Sequence, residues 1–75
     1  MSTPPADRDP RIDPRPGDVL RGTRRNLGKP EIRTILNRSE FQVLFDSEHR
    51  SGIQHCSLSY WRYWWAKNAE VIRRA

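Results

Sequence analysis

The sequence predicts a small, mostly β domain (a β-rich α+β fold) with one short helix near its C-terminus. Three observations support this fold class. Short stretches rich in β-branched residues are separated by turns that contain Gly, Pro, Asn or Ser. One of these stretches, residues 40–46, alternates apolar and polar side chains. Near the end of the chain the apolar period changes to that of a helix, where three Trp occur within residues 61–65.

The chain of 75 residues has room for one domain, which we assign to residues 14–75. A domain this small buries only about 60% of the surface that its unfolded chain exposes, so each large apolar side chain matters. The single cysteine, Cys56, excludes an intramolecular disulfide, and His49 and His55 do not complete a zinc site with it. Aromatic packing is therefore the expected source of stability, and no cofactor or metal is predicted.

Residues 1–13 are predicted to be a disordered, Pro-rich N-terminal arm. Five of the six prolines lie within the first sixteen residues, which contain almost no apolar side chain that could be buried. Proline supplies no backbone donor and restricts the residue before it to extended conformations. The three Arg and three Asp of these sixteen residues cancel, so the net charge of +5 belongs to the body.

Five short strands are predicted, with polar turns between them: residues 19–21, 31–37, 40–46, 53–58 and 69–74. The first begins after a Pro-Gly-Asp turn. In the third, strict alternation places Phe41, Val43 and Phe45 on one face. Short turns at residues 37–39 and 47–52 join the second, third and fourth strands, which therefore form a β-meander.

Residues 59–67 predict a short helix, which Ser57 or Ser59 can cap by accepting bonds from free backbone N–H groups. Three Trp stand at positions i, i+3 and i+4: Trp61, Trp64 and Trp65. These positions share one face of an α-helix, and we expect that face to close the core. A strand is the alternative because Trp and Tyr favour strands, but it would divide the three Trp between two faces.

The order of these elements is that of SH3-like barrels, with about five short strands and one short Trp-rich helix before the last strand. A partly open barrel removes most exposed sheet edges and lets about 60 residues enclose one core. The alternative is a three-stranded antiparallel sheet with the helix packed across one face.

Two motifs resemble known proteins. The sequence PRPGDVLR at residues 14–21 resembles the opening of SH3-like modules, where a Pro-Gly-Asp turn starts the first strand. The sequence CSLSYWRYWWAKNAEVI at residues 56–72 resembles small uncharacterised phage and prophage proteins, in which a Trp-containing helix precedes a short Val/Ile strand. The resemblance covers residues 14–72 and implies a fold and a mobile-element origin. It implies no activity, so no functional residue is carried over.

The sequence predicts a binding protein rather than an enzyme. His55 and Cys56 are adjacent in a predicted strand, so their side chains point to opposite faces and His55 is not placed to activate the thiol. We expect Cys56 in the core and His55 on the outer face. The carboxylates do not converge, and the four glycines are too far apart to form a phosphate-binding loop.

Two binding roles are predicted. In the first, a phage-type accessory factor binds a protein partner, or weakly binds a second copy of the chain, through Tyr60, Arg62 and Tyr63. These side chains lie on the helix face opposite the Trp residues, and Tyr and Arg are favoured at protein interfaces. In the second role, the basic loops bind nucleic acid. The residues of that candidate site are Arg24, Arg25, Lys29, Arg38 and Arg50.

Charge and location complete the prediction. Twelve of the fourteen basic residues are Arg, whose guanidinium group binds phosphate or carboxylate in a fixed fork geometry. The resulting pI of about 10.4 permits nucleic-acid binding without requiring it. A lone thiol, no signal peptide and no apolar run near the roughly 20 residues that span a bilayer predict a cytoplasmic protein with no membrane partner.

Overall fold

The structure, a computed structural model, describes residues 8–23 and 28–75. Five antiparallel strands form one open sheet: β1 Val19–Thr23, β2 Pro30–Arg38, β3 Gln42–Ser47, β4 Arg50–Ser57 and β5 Glu70–Arg73. Their order across the sheet is β4-β3-β2-β1-β5. The mostly β fold class with a helix before the last strand is confirmed. No helix within the described ranges has the length and apolar character needed to cross a membrane.

The central strand β2 organises the sheet, because it pairs with β1 along one side and with β3 along the other. Its side chains alternate, so that Glu31, Arg33 and Ile35 are buried on the inner face. The register with β3 shifts between Ile35 and Asn37. Such an irregularity increases the local bend of a strand and helps the sheet to curve around its core.

The core lies between the inner face of the sheet and the helical segment at residues 58–68. It is formed by nine buried residues: Leu20, Ile35, Val43, Phe45, Leu58, Trp61, Trp65, Ala66 and Ala69. The Trp65 ring approaches the backbone of β1, where a Cβ atom at Gly22 would lie only 3.0 Å from Trp65 Cε2. A side chain at this position would require the indole of Trp65 to shift by a few tenths of an ångström.

The alternation predicted for β3 is confirmed at Val43 and Phe45 but is wrong at Phe41, which is 76% exposed. The strand begins only at Gln42, because the hydroxyl of Ser39 accepts hydrogen bonds from the backbone N–H groups of Phe41 and Gln42. The β2–β3 turn therefore covers residues 39–41 instead of the predicted 37–39, and Phe41 belongs to the turn.

The helical segment contains one α-helical turn at Leu58–Tyr60, a π-helical stretch at Trp61–Trp65 and a 3₁₀ turn at Ala66–Asn68. The predicted cap at Ser57 is confirmed, since its hydroxyl accepts a bond of 3.1 Å from the N–H of Tyr60.

The prediction that all three Trp are buried on one helix face is wrong. A π-helix is bonded i→i+5 and has more residues per turn than an α-helix, so residues four apart share a face better than residues three apart. Accordingly, Trp61 and Trp65 are buried with ring centroids 4.8 Å apart, whereas Trp64 is 65% exposed.

Residues 8–13, which were expected to belong to a disordered arm, lie against the body in the structure. The indole N–H of Trp61 donates to the carbonyl of Pro10 at 3.1 Å, and Arg62 Nε donates to the carbonyl of Ile12 at 2.7 Å. Pro10 itself is buried. Amino-acid composition did not predict this contact, because the acceptors of these two bonds are backbone carbonyl groups, which are present in every sequence. Residues 1–7 lie outside the described part of the chain.

The carboxylate of Asp18 joins the arm, the start of β1 and the end of the chain in a cluster that we call the Asp18 junction. It accepts bonds from Arg8 Nη1 and Nη2 at 2.6 and 2.9 Å, and from the backbone N–H groups of Arg15 and Ala75 at 2.8 Å. Burial opposes ionisation and is the largest single influence on Asp18. Together, the bonds from Arg8 and from the backbone outweigh it and lower the pKa of this carboxyl below its ordinary value.

A second buried charge pair lies under the helical segment. The guanidinium carbon of Arg33 stands 4.1 Å from the centroid of the Phe45 ring and 4.2 Å from that of Trp65. Glu31 accepts bonds from Arg33 Nε at 3.1 Å and from the Trp65 indole N–H at 3.2 Å, and the hydroxyl of Ser47 donates to its other oxygen. These contacts account for two charges in the interior of so small a domain.

Candidate interaction surface

The outer face of the helical segment presents large aromatic side chains to solvent. Tyr60 and Tyr63 point outward, and Tyr63 is 68% exposed. Trp64, which the sequence placed in the core, is exposed beside Tyr63. Trp64 is therefore a candidate interface residue that the sequence did not predict. Its exposure follows only from the π-helical geometry.

The arm and the helical segment enclose a hollow of about 480 Å³, the helix–arm hollow, in which two of the three predicted interface residues meet. Arg62 and Tyr63 line it from the helix, together with Lys67, and Ile12 lines it from the arm. Arg62 is half-buried, and its bond to the carbonyl of Ile12 fixes that wall. Tyr60 is not part of the lining of this hollow.

Trp64 faces a different hollow, of about 370 Å³, on the side of the helical segment that adjoins the β1–β2 hairpin. Gly22, Thr23 and Pro30 form its opposite wall. Tyr63 and Trp64, neighbours in sequence, thus form a ridge with a hollow on each side.

The basic loops are only partly brought together. Lys29 and Arg50 are exposed at one end of the sheet, where His49 Nε2 lies 2.8 Å from the carbonyl oxygen of Pro30. Arg38 lies at the opposite end of β2 and forms an ion pair with Asp13. The remaining two residues of this set, Arg24 and Arg25, lie outside the described residues.

The residues considered for catalysis stand apart. His55 is exposed, whereas Cys56 is half-buried against the core. Burial raises the pKa of the Cys56 thiol more than the positive charge of Arg33 lowers it, which disfavours the reactive thiolate. Over residues 8–23 and 28–75, no three side chains of His, Cys, Asp or Glu are grouped so as to hold a metal ion.

Comparison of the chain with protein-family models, with curated proteins and with solved structures finds no match.

Proposed function

We propose that this protein is a non-enzymatic binding module that acts by protein–protein interaction through the ridge of Tyr63 and Trp64. The observation that carries the proposal is the exposure of both side chains, which are adjacent in sequence, in a domain that has few large apolar side chains to bury. Trp and Tyr are the residues that most often dominate the energy of protein interfaces. Ile12, which is also exposed, extends the apolar surface onto the arm.

The chemistry around the ridge favours a partner with an apolar centre and an acidic rim. Arg62 and Lys67 flank Tyr63 in the helix–arm hollow. Complementary charges at the edge of an interface raise the rate of association and exclude partners of the wrong sign. The hollows on both sides of the ridge would receive protruding side chains of the partner.

We also propose that the sheet is a partly open barrel of the SH3-like type. The strand order β4-β3-β2-β1-β5, the register shift in β2 and the helical segment between β4 and β5 support this assignment. The resemblance of residues 14–21 and 56–72 to SH3-like modules and phage proteins supports a phage-type accessory role. A single thiol, Cys56, supports action in the cytoplasm.

The test compares three forms of the full chain as bait for proteins from a cell extract. In one form, Tyr63→Ala and Trp64→Ala remove the ridge. In the matched control, Phe41→Ala and Ile53→Ala remove two other exposed apolar side chains, at the β2–β3 turn and on β4. Captured proteins are quantified by mass spectrometry, and circular dichroism verifies that each bait is folded.

We expect the wild type and the control to retain the same proteins and the ridge variant to lose them. Retention of the same proteins by all three baits would contradict the proposal. Capture that depends on Phe41 and Ile53 instead would move the interface to the β2–β3 turn and β4.

Nucleic-acid binding by the basic loops is the second candidate. The shared position of Lys29 and Arg50 at one end of the sheet supports it. Replacing both by Gln would then weaken binding of a labelled oligonucleotide, measured by fluorescence anisotropy.

A further inference from the structure

Half of the Lys and Arg side chains of the described residues are neutralised by a neighbouring carboxylate. These pairs are Arg8–Asp18, Arg11–Asp9, Arg15–Asp13, Arg21–Glu70, Arg33–Glu31 and Arg38–Asp13. Within residues 8–23 and 28–75, six Lys or Arg side chains take part in no such ion pair: Lys29, Arg50, Arg62, Lys67, Arg73 and Arg74. The last four of these lie on the two sides of the arm, so the excess positive charge is concentrated there.

Two of these four cations line a groove of about 670 Å³ between the arm and β5, which we call the arm–β5 groove. Arg73 and Arg74 form one wall, and Arg8 and Arg11 belong to the other. Arg74 Nη1 donates to the carbonyl of Arg8 at 3.4 Å, which holds the two walls together.

Among the described residues that line this groove, only Asp9 has a carboxylate, and it is already engaged. The hydrogen bond from Arg11 is the main cause of the lowered pKa of Asp9, and the charge of Arg74 adds to it. The charge of Arg8 is likewise neutralised, by its ion pair with Asp18. The charges of Arg73 and Arg74 are therefore available to an external anion.

The groove and the helix–arm hollow lie on either side of the same part of the arm, because Asp9 and Arg11 line both. A chain of anionic groups could thus pass from Arg73 and Arg74, across the arm, to Lys67. Tyr63, largely exposed at the far end of this path, presents a ring on which a base can stack.

We propose that the arm–β5 groove binds the phosphate backbone of single-stranded nucleic acid. The guanidinium fork matches two phosphate oxygens, and arginines dominate this groove. A linear series of cations that ends at an exposed aromatic ring fits a strand of phosphates with unstacked bases better than it fits an acidic peptide. This site goes beyond the proposed protein interaction, because its arginines line a separate groove and only Lys67 and Tyr63 at its far end also belong to the protein-binding surface. It shares no residue with the predicted basic loops.

The test measures the fluorescence anisotropy of a labelled oligothymidylate at several salt concentrations, with the full-length protein. In the groove variant, Arg73→Gln and Arg74→Gln remove two charges. In the matched control, Arg15→Gln and Arg21→Gln remove two exposed charges that do not line the groove. Circular dichroism verifies that each protein is folded.

We expect the wild type to bind with a dissociation constant of roughly 10⁻⁶ to 10⁻⁴ M near physiological salt. The groove variant should lose about ten-fold or more in affinity at low salt, and its salt slope should fall by about 1.4, the value for two phosphate contacts on a single strand. The control should stay within about two-fold of the wild type, with an unchanged slope.

Arg74 also holds the arm, so Arg73→Gln alone provides a second variant that leaves that bond in place. It should reduce the slope by about 0.7. Equal losses in the groove variant and the control would overturn the proposal, because they would show a response to net charge alone. The proposal would also be overturned if the wild type did not bind the oligonucleotide. It would equally be overturned if polyglutamate, at equal charge, competed as well as unlabelled oligonucleotide does.

Discussion

Trp61 and Trp64 are three positions apart in sequence, but Trp61 is fully buried and Trp64 is 65% exposed. Their relative contributions to stability are therefore a direct test of the structure. Trp61 is fully buried and donates to the carbonyl of Pro10, whereas Trp64 is mostly exposed. We expect Trp61→Ala to lower the free energy of unfolding far more than Trp64→Ala does.

The magnitudes follow from burial. Replacing a fully buried Trp by Ala costs about 3–5 kcal/mol, and the loss of the bond from Trp61 to the arm adds about 1 kcal/mol. For Trp64, about a third of a ring surface of roughly 250 Å² is covered, which at about 25 cal/mol per Å² is an upper limit of about 2 kcal/mol. A chain of this length has a total stability of about 4–11 kcal/mol, so only the first substitution approaches global unfolding.

Urea denaturation followed by far-UV circular dichroism measures both changes without relying on Trp fluorescence. With an m-value of about 1 kcal/mol per M, the two variants should differ in midpoint by about 2–4 M. Trp61→Phe, which keeps a ring but loses the N–H donor, keeps the comparison accessible if Trp61→Ala does not fold. Equal midpoints for Trp61→Ala and Trp64→Ala would refute the π-helical placement of these side chains.

Two further predictions concern the buried charges. The pKa of Asp18 is lowered by folding, so its contribution to stability is complete above the ordinary value of 3.8 and is lost as the pH falls below it. The urea midpoint of the wild type should therefore fall on acidification below about pH 4. The Asp18→Asn variant should be less stable at neutral pH, and its midpoint should fall less on acidification. An equal fall in both proteins would contradict this prediction. Arg33→Met should cost about 3–5 kcal/mol because it leaves the charge of Glu31 buried. Glu31→Gln combined with Arg33→Met should recover part of that loss in thermal unfolding, and a strictly additive double variant would argue against the pair.

The parts of the fold that depend on local sequence were predictable. Alternation placed Val43 and Phe45 in the core, and the cap at Ser57 followed from a serine just before an aromatic helical run. These signals work because the interacting groups are a few residues apart. The turns between strands were identified for the same reason, within a few residues of their ends.

The surface could not be predicted to the same extent, because it depends on interactions between distant residues. The choice between α- and π-helical bonding, which decides the exposure of Trp64, is not expressed in the spacing of the three Trp. The position of the arm depends on the bond from Trp61 to Pro10, whose partners are separated by 51 residues. A composition rich in Pro and charge gives no indication of such a contact.

The same limit applies to the arm–β5 groove. Arg11 and Arg74 lie near opposite ends of the chain, and only the folded arrangement places them around one groove. The sequence indicated that Arg was abundant but not which arginines were neutralised. The cations that looked most accessible in the loops included Arg38, which the structure pairs with Asp13.

The Asp18 junction has a consequence for the lifetime of the folded state. The bond between Asp18 and the N–H of Ala75 closes a loop of 57 residues. Because closing so long a loop costs conformational entropy, we expect this bond to form only after the sheet has assembled. Interactions that form after the rate-limiting step leave the folding rate nearly unchanged and slow the unfolding rate. We therefore expect loss of this bond to raise the unfolding rate of the domain much more than it lowers the folding rate.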